Sequence, residues 1–186
     1  MNELLEKNKY FQEKANDLLT KTKIVNVLSK FGEFSFQGSY SYGLMMSGDI
    51  DMYVISEHIN RQGALEIFNE IVESTPGFYG YKFNDFVLHP VWEGIPKGYC
   101  FNLSLRDNGE KWKMDIWVLQ KNEFEKLENY KQLIKEKLND KNKLTILEIK
   151  KFREDNCLKI PSVKIYDSVL KNGTSNIEEF KKTIIG

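Results

Sequence analysis

Two aspartates stand two positions apart at the start of DIDMYVI (49–55), and a third, Asp115, sits inside KMDIWVL (113–119). Both segments read as strands, and residues i and i+2 of a strand point to the same face. Asp49 and Asp51 are therefore side by side at the beginning of theirs. Adjacent carboxylates repel one another, and burying them without compensation is costly. A divalent cation removes the difficulty, and Mg²⁺ in particular accepts one or two carboxylates together with phosphate oxygens and water. Asp115 shares its face with Lys113 and Trp117, while Met114, Ile116 and Val118 point the other way. An aspartate in so apolar a strand is uncommon. If the two strands are neighbours, three carboxylates converge, enough to hold two metal ions roughly 3.5–4 Å apart for phosphoryl transfer.

The complementary half is Gly38-Ser39, ten residues before Asp49 and at the end of another short strand. Gly38 lets the backbone approach a ligand closely, and the turn after it exposes N–H groups to phosphate oxygens. Ser39 adds a hydroxyl donor, and a short helix beginning near Tyr40 adds a positive dipole end. Each sign alone is weak. Most Gly-Ser pairs are ordinary turns, an Asp-x-Asp is common on a solvated strand edge, and a lone strand aspartate can simply discourage edge pairing. The combination carries the weight.

That combination resembles the nucleotidyltransferase superfamily with the DNA polymerase β-type fold: a hydrophobic strand (Phe34–Gln37), Gly38-Ser39, the Asp49/Asp51 pair, then Asp115 among apolar residues. The resemblance covers roughly residues 33–119. It implies an α+β fold, a mixed sheet flanked by helices, with a C-terminal helical extension. It implies that Asp49, Asp51 and Asp115 are catalytic and bind Mg²⁺ or Mn²⁺. Gly38 and Ser39, with Lys113 as a weaker candidate, would bind the nucleotide. The implied reaction moves an NMP from an NTP, ATP among them, to an acceptor hydroxyl, with release of pyrophosphate. Acceptors known for the family include small molecules such as antibiotics, the 3′ end of tRNA in toxins of toxin–antitoxin systems, and protein side chains. An antitoxin or a second copy of the chain is a candidate partner.

The elements that must position these residues follow from periodicity. A helix, or two abutting ones, spans 3–31, with Leu4, Phe11, Ala15, Leu18, Val25 and Leu28 near one face. Glu33–Gln37 is a short strand, 38–48 a turn plus a short helix, Asp49–Ile55 a strand and Arg61–Ser74 a helix ended by Thr75-Pro76-Gly77. Strands follow over 79–88, 99–106 and 111–119, the last two joined as an antiparallel hairpin by Asn108-Gly109. Helices are expected over 122–138, 144–157, from Pro161 onward, and over 177–184. The division expected is a core with its N-terminal helix over 1–120 and a helical extension over 121–186 packed on it.

Composition sets outer limits. Of 186 residues 41% are hydrophobic, and 27 basic side chains balance 27 acidic ones. A disordered chain and a general nucleic-acid coat are both excluded. No apolar run is long enough to span a bilayer. The charged N-terminus lacks a secretory signal and Cys100 and Cys157 lack metal-ligand spacing, so a reduced, cytoplasmic protein is expected. The zero net charge hides an asymmetry: residues 1–120 carry 12 basic and 16 acidic side chains, residues 121–186 carry 15 and 11. The basic surplus after 120 would face the triphosphate or the acceptor.

Other candidates weigh less. His58 and His89 have no partner at triad or metal spacing, and Lys97 and Arg106 read as ordinary solvated cations. Tyr40 and Tyr42 read as packing beside a turn. The Lys-rich helices of 122–157 read as solvated faces with helix-supporting pairs, an RNA-binding surface being the sharper alternative. A non-catalytic nucleotide-binding or interaction module of the same fold is the competing function, and a metal-stabilised structural domain the third.

Overall fold

The computed structural model describes residues 3–56, 59–75, 77–89 and 96–185, less the side chains of 184 and 185. The chain opens with α1 (Glu3–Thr22) and α2 (Ile24–Leu28), separated at Lys23, whose left-handed backbone (φ 54°) breaks the run. There follow β1 (Glu33–Gln37), α3 (Gly38–Tyr42), β2 (Asp49–Ile55), α4 (Arg61–Ser74), β3 (Phe78–Asp85), β4 (Gly98–Asp107) and β5 (Glu110–Leu119). The chain ends with α5 (Lys121–Lys137), α6 (Asp140–Asp155), α7 (Ser162–Leu170) and α8 (Ile177–Ile185).

The strands form one mixed sheet of order β1-β2-β5-β4-β3. β2 and β5 run parallel, and the other neighbours pair antiparallel. The β4–β5 hairpin turns at Asn108 (φ 48°) and Gly109 (φ 85°), the pair of positive φ values that a type I′ turn needs. Alternation then decides which face is covered. Ile50, Met52, Val54, Leu103, Met114 and Ile116 point to one side and are fully buried against Ala15, Leu28, Ala64 and Ile71 of α1, α2 and α4. The polar partners of the same strands point to the other side.

A second apolar cluster joins Leu44 and Met46, in the loop before β2, to Ile134 of α5, Ile149 of α6, Ile165 of α7 and Phe180 of α8. α1 belongs to both clusters, with Leu4 and Leu5 packed on the second and Ala15 and Leu18 inside the first. Its polar residues reach outward in turn: Lys7 to Glu154 on α6, Asn8 to the Met45 carbonyl, Gln12 to the Tyr40 carbonyl, Tyr10 to Glu110 and Lys21 to Asp107.

The start of α6 and the end of β3 differ from those expected. α6 begins at Asp140, because Asn139 and Asn142 form a reciprocal capping box that the polar first turn conceals from a hydrophobic-periodicity reading. β3 stops at Asp85, whose carboxylate accepts hydrogen bonds from the Val87 and Leu88 N–H groups (3.1 and 3.2 Å) and turns the chain away. Both cysteines are free, Cys100 buried and Cys157 exposed, and no helix among the described residues is long and apolar enough to cross a membrane.

Ile116 lies at 0% exposure on β5, in the middle of the sheet. Ile116→Ala is expected to lower unfolding stability by about 2–5 kcal/mol, measurable as a fall in the urea midpoint.

Candidate active site

The parallel register of β2 and β5 sets Asp51 directly beside Asp115, and Asp49 beside Lys113. One carboxylate oxygen of each aspartate lies within 4.8 Å of the other two. The three residues are half-buried. Asp115 is held on both sides: Asn102 donates from Nδ2 to its Oδ1 (2.7 Å), and Lys113 donates from Nζ to its Oδ2 (2.5 Å). Asn84 supports Asn102 in the same way (2.7 Å).

Burial, opposed by Lys113 and reinforced by Asp115, raises the pKa of Asp49. Burial, then repulsion from Asp49 and Asp115, pushes Asp51 up to about 7. Lys113 answers as the nearest cation. Its own burial works against its charge, but the hydrogen bond to Asp115 and the pull of the three carboxylates outweigh it and raise its pKa. Asp49 Oδ1 is buried with no hydrogen-bond partner among the described residues. An orphaned carboxylate oxygen beside two more oxygen donors fits a hard divalent ion such as Mg²⁺ or Mn²⁺.

Gly38 follows β1 directly and opens α3 with φ +63°, a left-handed conformation that L side chains rarely adopt. A Cβ there would overlap Asp51 Oδ2, so only glycine lets the backbone turn against the carboxylate. The Ser39 hydroxyl makes no hydrogen bond among the described residues. A cleft of about 270 Å³ runs from Gly38, Ser39, Asp49 and Asp51 across to Tyr130 of α5 and Tyr166 of α7. Tyr42 stands between, its ring edge-on to Tyr166 (centroids 5.7 Å apart).

Several groups that hold the site were not singled out from the sequence. Lys131 is buried and donates to Ser35 Oγ (2.6 Å) and Glu128 Oε1 (3.0 Å). Glu128 also accepts from Gln37 Nε2 (2.5 Å), so α5 is tied to β1 immediately before Gly38. Lys150, also buried, donates to the Leu44 carbonyl (2.6 Å) and braces the loop leading to Asp49. Neither lysine belongs to the solvated face expected of these helices. A signal was available: Lys131 is four residues after Leu127 and three before Ile134, and Lys150 follows Ile146 by four, so both interrupt apolar stripes. Lys126 and Lys151 do make the expected local pairs, with Glu123 and Asp155, and beyond that stretch Lys171 pairs with Asp167. Six of the fifteen basic side chains after residue 120 are ion-paired or buried, and none of the fifteen lines the cleft.

The lesser candidates lie elsewhere. Tyr40 packs on Phe36 on the helix-covered side and donates to Asn16 Oδ1 (2.7 Å). His89 is exposed and does not line the cleft. Lys97 donates its backbone N–H to Glu123, and Arg106 is exposed, over the Tyr79 ring. His58 lies outside the described residues.

Two outcomes follow. Gly38→Ala is expected to displace Asp51 and weaken Mn²⁺ binding about tenfold or more, read by titration calorimetry. Burial lowers Lys150 to about 7, with Arg153 adding to the effect. A depressed lysine contributes stability that is present at high pH and lost as pH falls toward its folded value. The stability difference between wild type and Lys150→Met should therefore shift in favour of wild type between pH 7 and pH 10, measured by urea unfolding across that range.

No protein-family model and no curated protein matches the chain. Solved structures do. A cytoplasmic RNA terminal U-transferase is similar with a TM-score of 0.55 and 21% identity, over 87% of this chain and 47% of that one. The noncanonical poly(A) polymerase GLD-2, in complex with GLD-3, is similar at 0.53 and 11%, over 100% and 64%. The Cid1 poly(U) polymerase is similar at 0.51 and 18%, over 78% and 42%. The chain spans less than two thirds of the length of each. At these identities the likeness is one of fold, and the fold is that of the polymerase β-type nucleotidyltransferases.

Proposed function

We propose that the protein is a metal-dependent nucleotidyltransferase that moves an NMP from an NTP to an acceptor hydroxyl. One observation carries this reading: the carboxylates of Asp49, Asp51 and Asp115 converge, and the first two line the cleft whose wall begins with Gly38-Ser39. A module that only senses nucleotides has no use for a triad that is costly to bury.

In this reading Asp49, Asp51 and Asp115 would hold Mg²⁺ or Mn²⁺, which supplies charge neutralisation at the phosphates and activation of the attacking hydroxyl. Residues 1–120 act as the catalytic core, and the extension over 121–186 supplies the far wall of the cleft. The Ser39 hydroxyl, without another partner among the described residues, donates to the triphosphate, and Gly38 lets the backbone come close to it. Lys113 lies between the carboxylates and solvent, able to follow a phosphate as the charge distribution changes. Tyr130 and Tyr166 offer apolar faces with hydroxyl ends to the nucleoside. Asn84 and Asn102 fix the rotamer of Asp115. The protein's part is positioning and electrostatics, the general logic of phosphoryl transfer.

Incubation with labelled NTPs, Mg²⁺ and a cell extract tests the reading. Wild type should label a defined fraction, and Asp49→Asn and Asp115→Asn should each lose about 100-fold or more of that activity. Mg²⁺ should raise the melting temperature of wild type and not of Asp49→Asn. Equal labelling by wild type and Asp49→Asn would refute the enzyme.

A further inference from the structure

Helices α1, α2 and α4 cover one face of the sheet. On β3, β4 and β5 the opposite face is open at one end, where Lys82, Arg106, Lys111 and Lys113 are exposed, and closed at the other, where Cys100 and Leu119 are buried and Phe86 stacks on Trp117 (centroids 5.3 Å apart). Charge is sorted across this part of the sheet. The acids at its strand ends turn to the helix side, where Asp107 pairs with Lys21, Glu110 accepts from Tyr10 and Asp85 faces Arg61. The cations turn to the open side: Lys82 on β3, Arg106 on β4, Lys111 and Lys113 on β5. Outside the triad, that face of these three strands carries no carboxylate.

Arg106 and Lys111 are direct cross-strand partners. Like charges facing each other in a sheet are destabilising, and no carboxylate stands between these two. Lys82, Arg106 and Lys111 have no ion pair among the described residues. The Arg106 guanidinium lies over the Tyr79 ring, 5.6 Å from its centroid. Along β5 the series Lys111, Lys113, Asp115 advances in steps of roughly 6.6 Å, so the cationic surface runs directly into the triad.

We propose that this open face of β3–β5 binds the backbone of a single-stranded nucleic acid and delivers its terminal hydroxyl to Asp115. The inference rests on the nucleotidyltransferase reading. In an in-line displacement the attacking and leaving oxygens lie on opposite sides of the phosphorus. The triphosphate is assigned to the Gly38-Ser39 side, toward β1, so the acceptor enters from the β4 side, where the cations are. The acceptor oxygen bonds to the α-phosphorus, the bond to the pyrophosphate oxygen breaks, and the hydroxyl proton leaves to a carboxylate or to solvent. Cations spread over three strands suit a chain of phosphates rather than one small acceptor. Asn84, Asn102 and Ser104, which stand among them, supply polar contacts without a base-reading pattern.

The test is binding of a short, unstructured, fluorescein-labelled oligoribonucleotide in EDTA without NTP, read by anisotropy over a range of salt. Wild type should bind in a salt-dependent way. Lys82→Ala/Arg106→Ala/Lys111→Ala should weaken binding about tenfold or more and flatten the slope of log K against log salt by about 2, three single-strand phosphate contacts. The equally charge-depleted control Lys135→Ala/Lys137→Ala/Lys141→Ala, drawn from α5 and α6, should bind as wild type. Absence of salt-dependent binding, equal loss in both triple variants, or equal competition by an RNA duplex or by polyglutamate would each overturn the proposal. Metal and nucleotide are absent, so the result stands apart from the labelling test of Asp49→Asn: a face that binds beside an inert triad refutes the enzyme and leaves the surface, and the converse refutes the surface alone.

Discussion

Mutual repulsion of three carboxylates governs this structure. The parallel pairing of β2 with β5 leaves Asp51 and Asp115 nowhere to go but beside each other, and the i, i+2 rule adds Asp49 to the same face. Left alone, such a cluster costs free energy in proportion to its burial. The surroundings moderate the cost without removing it. Lys113 and Asn102 take up both oxygens of Asp115, Gly38 gives way to Asp51, and Asp49 Oδ1 is left unsatisfied among the described residues. The residual imbalance is what a divalent ion would relieve. The rest of the fold holds the two strands in register against it.

That holding force comes from the other face. Alternation sends Ile50, Met52 and Val54 of β2, and Met114, Ile116 and Val118 of β5, into the dry side. A slip of one residue would bury the aspartates and expose these six side chains. Register and site geometry are thus fixed by the same apolar pattern.

For this reason the core of the site was legible in the sequence. Period-two alternation around Asp49, Asp51 and Asp115 is a local signal, and Asn108-Gly109 fixed the hairpin that carries Asp115. What escaped was non-local or polar. The capping box of α6 has no apolar periodicity, and the end of β3 depends on one aspartate folding back on its own N–H neighbours. Lys131 and Lys150 look like any helix lysine until the stripe they interrupt is counted. The charge balance misled for a related reason. Summed along the chain it places the basic surplus after residue 120, whereas in the folded sheet the charges are sorted by strand face, and a sum over sequence cannot resolve the two sides of a strand.

Helix α1 gives the cleft its mechanical character. One wall is the sheet and α3, the other α5 and α7, and such a cleft is usually pictured as a pair of jaws. Here a single continuous rod of 20 residues is embedded in the apolar packing behind both walls and bonded to α3, α6 and the β-hairpin. Opening the jaws would mean pulling that rod out of one cluster. The two walls therefore share a backbone rather than a hinge, and the slot between them keeps a fixed width.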